Sequence, residues 1–261
     1  MSIRIAASDL ADGSGHPALG AVLWDLGRFN LILGTPDNES LIGTPGRDLI
    51  LGRGGFDGIY GQAGDDVIIG NGQLVGDAGD DVLIATAPTP QQVVGSQIIA
   101  GPGDDLLIGG VLDDQLFGEA GRDTILGGPD NDRIVGGLDP DLMFGGAGHD
   151  RFEFTIYPIF GSPGSEPVYL ADTGQGLGRR DVIGDFEPGA DVLSLAGYGI
   201  STFIGMSEFS GDGVGQVRYE IRHGSTIVQF RGTYILSPEI FPAEIELRGI
   251  HHLSAADFDL V

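Results

Sequence analysis

The 261-residue chain has no cysteine, no lysine and a single tryptophan, and aromatic residues make up only 8% of it. Without cysteine no disulfide can form, so the chain is either kept in the cytosol or exported and held together by something else. Without lysine there is no lysine nucleophile and no polybasic lipid-binding segment. Thirteen basic residues face 38 acidic ones, a formal charge of -25, which excludes a basic nucleic-acid footprint. Long hydrophobic runs are missing as well, so no membrane span is expected. At the N-terminus, Asp9 and Asp12 interrupt the stretch that a cleaved export signal would need to be apolar. The length suits one or two domains with a buried core.

What the chain has in excess is glycine, 47 residues of 261, more than twice the usual share of about 7%. With 41% hydrophobic residues and no collagen triplet, that excess points to a tightly turned repeat. The period is nine. Strict nonapeptides begin at residues 34, 43, 52, 61, 76, 100, 109, 118, 127, 136 and 145, and two irregular units begin at 70 and 85. Together they fill residues 34–153 without a gap.

Each place in the unit has a physical role. The first place is Gly except at Ala100, and the fourth is Gly, Asp or, once, Leu112. Gly and, less well, Asp tolerate the positive φ of a tight turn, so strain is expected only at Leu112. The eighth place is apolar throughout, as the inward side chain of a short strand should be. The sixth place is acidic in every strict unit: Glu39, Asp48, Asp57, Asp66, Asp81, Asp105, Asp114, Asp123, Asp132, Asp141 and Asp150. One such acid would be a solvated turn residue. Eleven of them, stacked at the ~4.8 Å spacing of strands, would repel one another with nothing to offset the charge unless a cation sat among them. Oxygen-only donors, with neither Cys nor His at the repeated places, select a hard ion such as calcium.

These units resemble the G-G-x-G-x-D-x-U-x nonapeptide of the RTX, or hemolysin-type, calcium-binding proteins. The resemblance implies an all-β fold, a calcium-binding parallel β-roll in which two nonapeptides make one coil and each ion lies between turns n and n+2. Successive units then alternate between two sides. One side would bridge Asp48 to Asp66, Asp66 to Asp81, Asp81 to Asp105, Asp105 to Asp123, and Asp123 to Asp141. The other, broken by the irregular units at 70 and 85, would keep Glu39 with Asp57, Asp114 with Asp132, and Asp132 with Asp150. About eight ions follow. At ~1 mM calcium and a ~0.1 mM dissociation constant, each contributes roughly 1.4 kcal/mol, so folding should be coupled to calcium. The insert Ala87 to Gln92 is expected to fold over the shortened turn beside it.

Places seven and nine point outward. On the unbroken side they are apolar at every position but Thr124, and a face that apolar is expected to be covered. The cover is either intramolecular, from the N-terminal segment (Leu19, Val22, Leu23, Trp24, Leu26, Phe29) or the C-terminal region, or it is a partner: a protein, a glycan or a second copy of the chain.

After Phe154 the nonapeptide stops. Residues 180–195, RDVIGDFEPGADVLSL, and 246–261, ELRGIHHLSAADFDLV, are similar to the region that follows the repeats in serralysin-type metalloproteases. That resemblance implies a β-sandwich-like C-terminal domain, calcium ligation by Asp181 and Asp191, and a C-terminal signal for the type I secretion apparatus at Asp257-Phe258-Asp259-Leu260-Val261. The expected organisation is an N-terminal cap at 1–33, the roll at 34–153 and the C-terminal domain at 154–261.

No catalytic site is expected. The H-E-x-x-H motif of the serralysins is absent, and none of His16, His149, His223, His251 and His252 has metal-ligand spacing. There is no G-x-S-x-G elbow and no thiol. In pairs such as Asp65-Asp66 the second acid belongs to calcium and the first to solvent. The expected function is that of a secreted, extracellular or cell-surface calcium-binding protein with a structural, adhesive or surface-binding role. The alternatives are an accessory module beside a secreted enzyme, a protease or a polysaccharide-modifying one, and, third in order, direct catalysis by the chain itself.

Overall fold

A computed structural model of the chain describes residues 29–86, 92–159, 168–171, 173, 178–195, 198–211, 214–233 and 240–260. Two long sheets carry the fold. The first begins with the strands Asn30–Leu33, Asp48–Leu51, Val67–Gly70, Val82–Ala85, Leu106–Ile108, Thr124–Pro129 and Leu142–Ala147, all parallel neighbours. The second stacks Ser40–Ile42, Asp57–Ala63, Gly72–Ala78, Gln97–Pro102, Gln115–Ala120, Arg133–Leu138 and Arg151–Glu153 in the same manner. The chain passes from one sheet to the other at each turn, so alternate units lie on opposite sides, as the nine-residue arithmetic requires of a parallel β-roll.

Between the sheets, the eighth-place side chains form the core. Ile50, Ile59, Ile68, Leu83, Leu107, Leu116, Ile125, Ile134, Met143 and Phe152 are all completely buried. The irregular units contribute Leu74 and Ile98 to the same column, equally buried, so the strand ladder runs through them without interruption. A core one side chain deep, filled by branched aliphatics, is what a period-two strand between two tight turns can bury.

The C-terminal region continues both sheets. In the first, Asp181–Ile183 pairs in parallel with the strand before it, and Ile240–Arg248, Ser225–Thr233, Gln216–Arg222 and Thr202–Phe203 follow. In the second, Val192–Ser194 and then Phe258–Asp259 are added. The two facing sheets thus run on without a break from the roll, and aromatic rings join the aliphatics in the C-terminal part of the core. Tyr198 and Phe230 meet edge to face with ring centroids 4.9 Å apart, and Phe186 lies 6.3 Å from Phe152. Arg180 is buried between Glu244 and Glu246, at 3.0 and 2.7 Å, and fastens the junction.

The outer face of the first sheet is buried over about half of its seventh- and ninth-place positions and partly buried at Val82, Leu106, Thr124, Leu126, Leu142 and Phe144. Leu49, Leu51, Val67, Ile69, Ile84 and Ile108 form a second apolar cluster, with Phe29, Leu31 and Leu126 packed against it. Leu19, Val22, Leu23, Trp24 and Leu26 lie outside the described residues, as do positions 87–91 of the insert.

The turns differ from expectation in two respects. Left-handed backbone occurs at the second place as well as the fourth: Arg53, Gln62, Asp77 and Glu119 all have φ between 70° and 83°. Leu112 is not among the left-handed residues. Its turn is closed differently, with the Gly110 N–H donating to Asp114 Oδ2, so the strain expected there does not arise.

Candidate metal centre

The sixth place falls where the turn becomes a strand, and parallel register sets successive sixth-place residues side by side. Except at Asp57, whose N–H donates to the Asn71 carbonyl, and at the column ends, each backbone N–H donates to Oδ1 of the next acid in its column. On the first sheet Asp48 donates to Asp66 (2.7 Å), Asp66 to Asp81 (2.7 Å), Asp81 to Asp105 (2.6 Å), Asp105 to Asp123 (2.9 Å), Asp123 to Asp141 (2.8 Å) and Asp141 to Asp181 (2.9 Å). On the second, Glu39 donates to Asp57 (3.0 Å), Asp114 to Asp132 (2.8 Å), Asp132 to Asp150 (2.9 Å) and Asp150 to Asp191 (3.0 Å). Asp181 and Asp191, named through resemblance alone, therefore stand at the ends of the two columns, 40 and 41 residues beyond their neighbours.

The other carboxylate oxygen is the informative one. In Asp57, Asp66, Asp81, Asp105, Asp123, Asp132, Asp141 and Asp150, Oδ2 is buried and makes no hydrogen bond. A buried acceptor left unmade costs about 1–3 kcal/mol, and more when charged, and eight in two rows demand an explanation. First-place glycine supplies the geometry. At Gly61 an added Cβ would lie 2.4 Å from Asp66 Oδ2 and 2.8 Å from the Gly76 carbonyl oxygen, and at Gly127 2.4 Å from Asp132 Oδ2 and 2.6 Å from the Gly145 carbonyl. Carboxylate and carbonyl oxygens thus converge on a space that a side chain would fill. Among the described residues no three His, Cys, Asp or Glu side chains cluster as a metal site, so any ion here must draw on backbone carbonyls as well as the carboxylates. An all-oxygen set of that kind fits calcium.

Burial governs the protonation of these groups. Withdrawal from water, augmented by like-charged neighbours and only partly countered by the donating N–H groups, pushes Asp150 up to about 6, Asp66, Asp105 and Asp123 to about 7, and Asp81 and Asp132 to about 8. Asp141, with Asp181 beside it, is also raised, and so are Asp57, Asp114 and Asp191, by burial first.

The remaining predicted residues differ. Asp48 is satisfied by its own turn and by the strand beside it, with Oδ2 accepting from the Thr44 N–H at 2.6 Å and Oδ1 from Asn30 Nδ2 at 2.7 Å. Asp114 accepts from Ser96 N–H and Gly110 N–H, Asp191 from Asp150 N–H and Glu187 N–H, and Glu39 folds back onto the Thr35 N–H.

Neutral groups close or interrupt the columns, and sequence reasoning missed them. Asn30 aligns with Asp48 and heads the first column, and its segment NLIL copies DLIL at 48–51, which was the available signal. At the other end the Asp181 N–H donates to Thr173 Oγ1, which itself donates to the Glu244 carbonyl. In the second column the break is plugged: Gly72 N–H donates to Ser96 Oγ, Ser96 Oγ to Asn71 Oδ1, and the Asn71 and Gln92 amides pair at 2.9 and 2.6 Å. Gln92, the last residue of the insert, does reach the shortened turn. The fifth place builds an outer ladder of its own, where Asp80 N–H donates to Asp65, Asp104 N–H to Asp80 and Arg122 N–H to Asp104. The first acid of each pair is exposed, but it is tied to the next turn.

The family model described as the RTX calcium-binding nonapeptide repeat (4 copies) matches residues 33–68, 69–87, 97–125, 108–143 and 126–154. Among solved structures, the chain is similar to the AlgE6R3 subunit of the mannuronan C5-epimerase of Azotobacter vinelandii, at 19% identity, covering 87% of this chain and 81% of that one with a TM-score of 0.29. For the AlgE6R2 subunit of the same enzyme the values are 18%, 88%, 91% and 0.29. For the extracellular lipase LipA of Serratia marcescens they are 16%, 91%, 42% and 0.31. No curated protein matches the chain.

Proposed function

Starting from a chain that carries RTX calcium-binding nonapeptide repeats between residues 33 and 154, we propose that it is a secreted protein that folds on calcium outside the cell and serves there as a structural, adhesive or surface-binding component. The observation that carries this reading is the pair of rows, eight buried carboxylate oxygens in all, without a hydrogen-bond partner. Asp66, Asp81, Asp105, Asp123 and Asp141 would hold ions along the first sheet, and Asp57, Asp132 and Asp150 along the second. Asp48, Asp114, Asp181 and Asp191 complete the columns, and Glu39 opens the second one. Bound calcium supplies positive charge to these carboxylates. The chain's own contribution is to align them, exclude water from them and clear the space at each first-place glycine.

The C-terminus supports the same reading. The residues resembling a type I secretion signal are built into the fold: Asp257 accepts from the Gly189 N–H, Phe258 is buried, and Asp259 is paired with Arg151. Val261 lies outside the described residues. A signal held in this way is freer before the chain folds, which suits export at micromolar calcium followed by folding at millimolar calcium. Among the described residues no helix is long and apolar enough to cross a membrane.

Far-UV circular dichroism against calcium and pH tests the proposal. Because the folded pKa values of the column acids lie above the ordinary 3.8, the metal-free fold binds more protons than the unfolded chain. Its stability is therefore greatest near pH 4 and falls as pH rises through about 8. The expected result at pH 7.5 is loss of the β spectrum in excess chelator and its return with millimolar calcium, with the chelated chain regaining β structure on acidification. A β spectrum indifferent to chelator at pH 7.5 would defeat the proposal.

A further inference from the structure

The outer face of the second sheet carries a feature that calcium binding leaves unused. Its seventh-place side chains stand in one row across the strands, Gln73, Gln97, Gln115, Arg133 and Arg151, each aligned with the next. Beside it runs the ninth-place row: Tyr60, Val75, Ile99, Phe117, Val135 and Glu153. A polar row thus lies parallel to one that is apolar for most of its length, both repeating at the strand spacing of ~4.8 Å. At the Arg end the face deepens into a groove of about 600 Å³, with Phe117, Val135, Leu138 and Phe154 for apolar walls.

The polar groups of the groove are already fixed. Arg151 Nε donates to Glu153 Oε1 at 2.8 Å and its guanidinium also reaches Ser194 Oγ at 2.8 Å and Asp259. Arg133 pairs with Glu153 and lies 5.0 Å over the Phe117 ring. Gln73 and Gln97 are joined at 3.2 Å, and the Tyr60 hydroxyl donates to Gln73 at 3.0 Å. Both guanidiniums are matched by carboxylates of this chain, in a protein of net charge -25, so the groove offers no surplus positive charge to an anionic ligand. It offers oriented donors and acceptors beside an apolar strip, which is the composition of a specific small-molecule site. A sugar ring has that complement: hydroxyls at its edge and C–H groups on its face. A row that repeats across the strands fits a chain of such rings.

We propose that this face binds a linear, neutral polysaccharide lying across the strands and anchored in the groove of Phe117, Arg133, Arg151 and Glu153. The proposal needs the folded roll and so rests on the reading above. Circular dichroism of every sample in calcium separates a chain that has not folded from one that folds and does not bind.

The test is isothermal titration of the full calcium-loaded chain with cellohexaose, laminarihexaose and maltohexaose, and with oligogalacturonate as the anionic counterpart. The expected result is saturable binding of at least one neutral hexasaccharide and none of oligogalacturonate. Phe117→Ala should weaken that binding about ten-fold or more, and Gln115→Ala, at an exposed position, by several-fold without touching the fold. Arg47→Ala, on a turn of the other sheet, should leave it unchanged. Failure of all three neutral sugars to bind, binding of oligogalacturonate alone, or neutral binding indifferent to both Phe117→Ala and Gln115→Ala would each overturn the proposal.

Discussion

Asp123→Asn should move the metal-free and the calcium-loaded chain in opposite directions. Without metal, the Asp123 carboxyl is held near pKa 7 by burial, and ionising it at neutral pH costs the fold about 1.4 kcal/mol for each unit of displacement, a few kcal/mol in all. Asparagine removes that cost and keeps the Oδ1 acceptor for the Asp105 N–H. Its amide, moreover, would stand where Oδ2 now lies beside the Gly136 carbonyl, both close to the Cβ position of Gly118. With calcium present, the same change removes a charged ligand shared by two neighbouring sites. The melting temperature in chelator at pH 6 should therefore rise, while the melting temperature in saturating calcium at pH 7.5 should fall. Asp104→Asn, one place earlier and exposed, should change either quantity little. A purely structural Asp123 would shift both measurements the same way.

Gly121→Ala should abolish the cooperative fold, whereas Gly46→Ala, at the same fourth place of another unit, should be nearly silent. Gly121 has φ of +131°, and a Cβ there would lie 1.7 Å from the Gly103 carbonyl oxygen in the turn stacked against it. Neither the backbone angle nor the neighbour can yield without unstacking two turns, so a loss of more than about 3 kcal/mol is expected. At Gly46 nothing lies within 4 Å of the added atom, and a change within about 0.5 kcal/mol is expected. Thermal melts of both variants in saturating calcium decide it. Equal effects at the two positions would mean that turn stacking is not what makes the fourth place glycine.

How much of this was legible beforehand depended on whether a residue's role repeats. The sixth and eighth places were readable because parallel register converts one local requirement into a column of the same residue type. The assignment of units to two sheets followed from counting once the resemblance supplied two nonapeptides per coil, and the structure places the column from Asp48 to Asp141 on one sheet and the column from Glu39 to Asp150 on the other as the count requires. What escaped were positions that act once. Asn30 is neutral and heads its column by donating to Asp48, so a search for acids passes over it. Ser96 and Asn71 replace charge with a hydrogen-bond network between residues 25 apart, and nothing in either short segment announces the other. The left-handed second place was hidden because Arg53, Gln62, Asp77 and Glu119 occupy it despite their side chains, held there by the stacked turns on either side. The merging of the C-terminal strands into the roll's own sheets depends on contacts such as Asp141 to Asp181 and Arg180 to Glu244 and Glu246, which join segments 40 or more residues apart and leave no period to detect.

Anomalous diffraction from a crystal grown in millimolar calcium addresses the central claim most directly. The account predicts ions in both columns beside Oδ2 of Asp66, Asp81, Asp105, Asp123 and Asp141 and of Asp57, Asp132 and Asp150, and no ion in the plug of Asn71, Ser96 and Gln92. Anomalous density absent from both columns, with these carboxylates bare or turned toward bulk water, would contradict it.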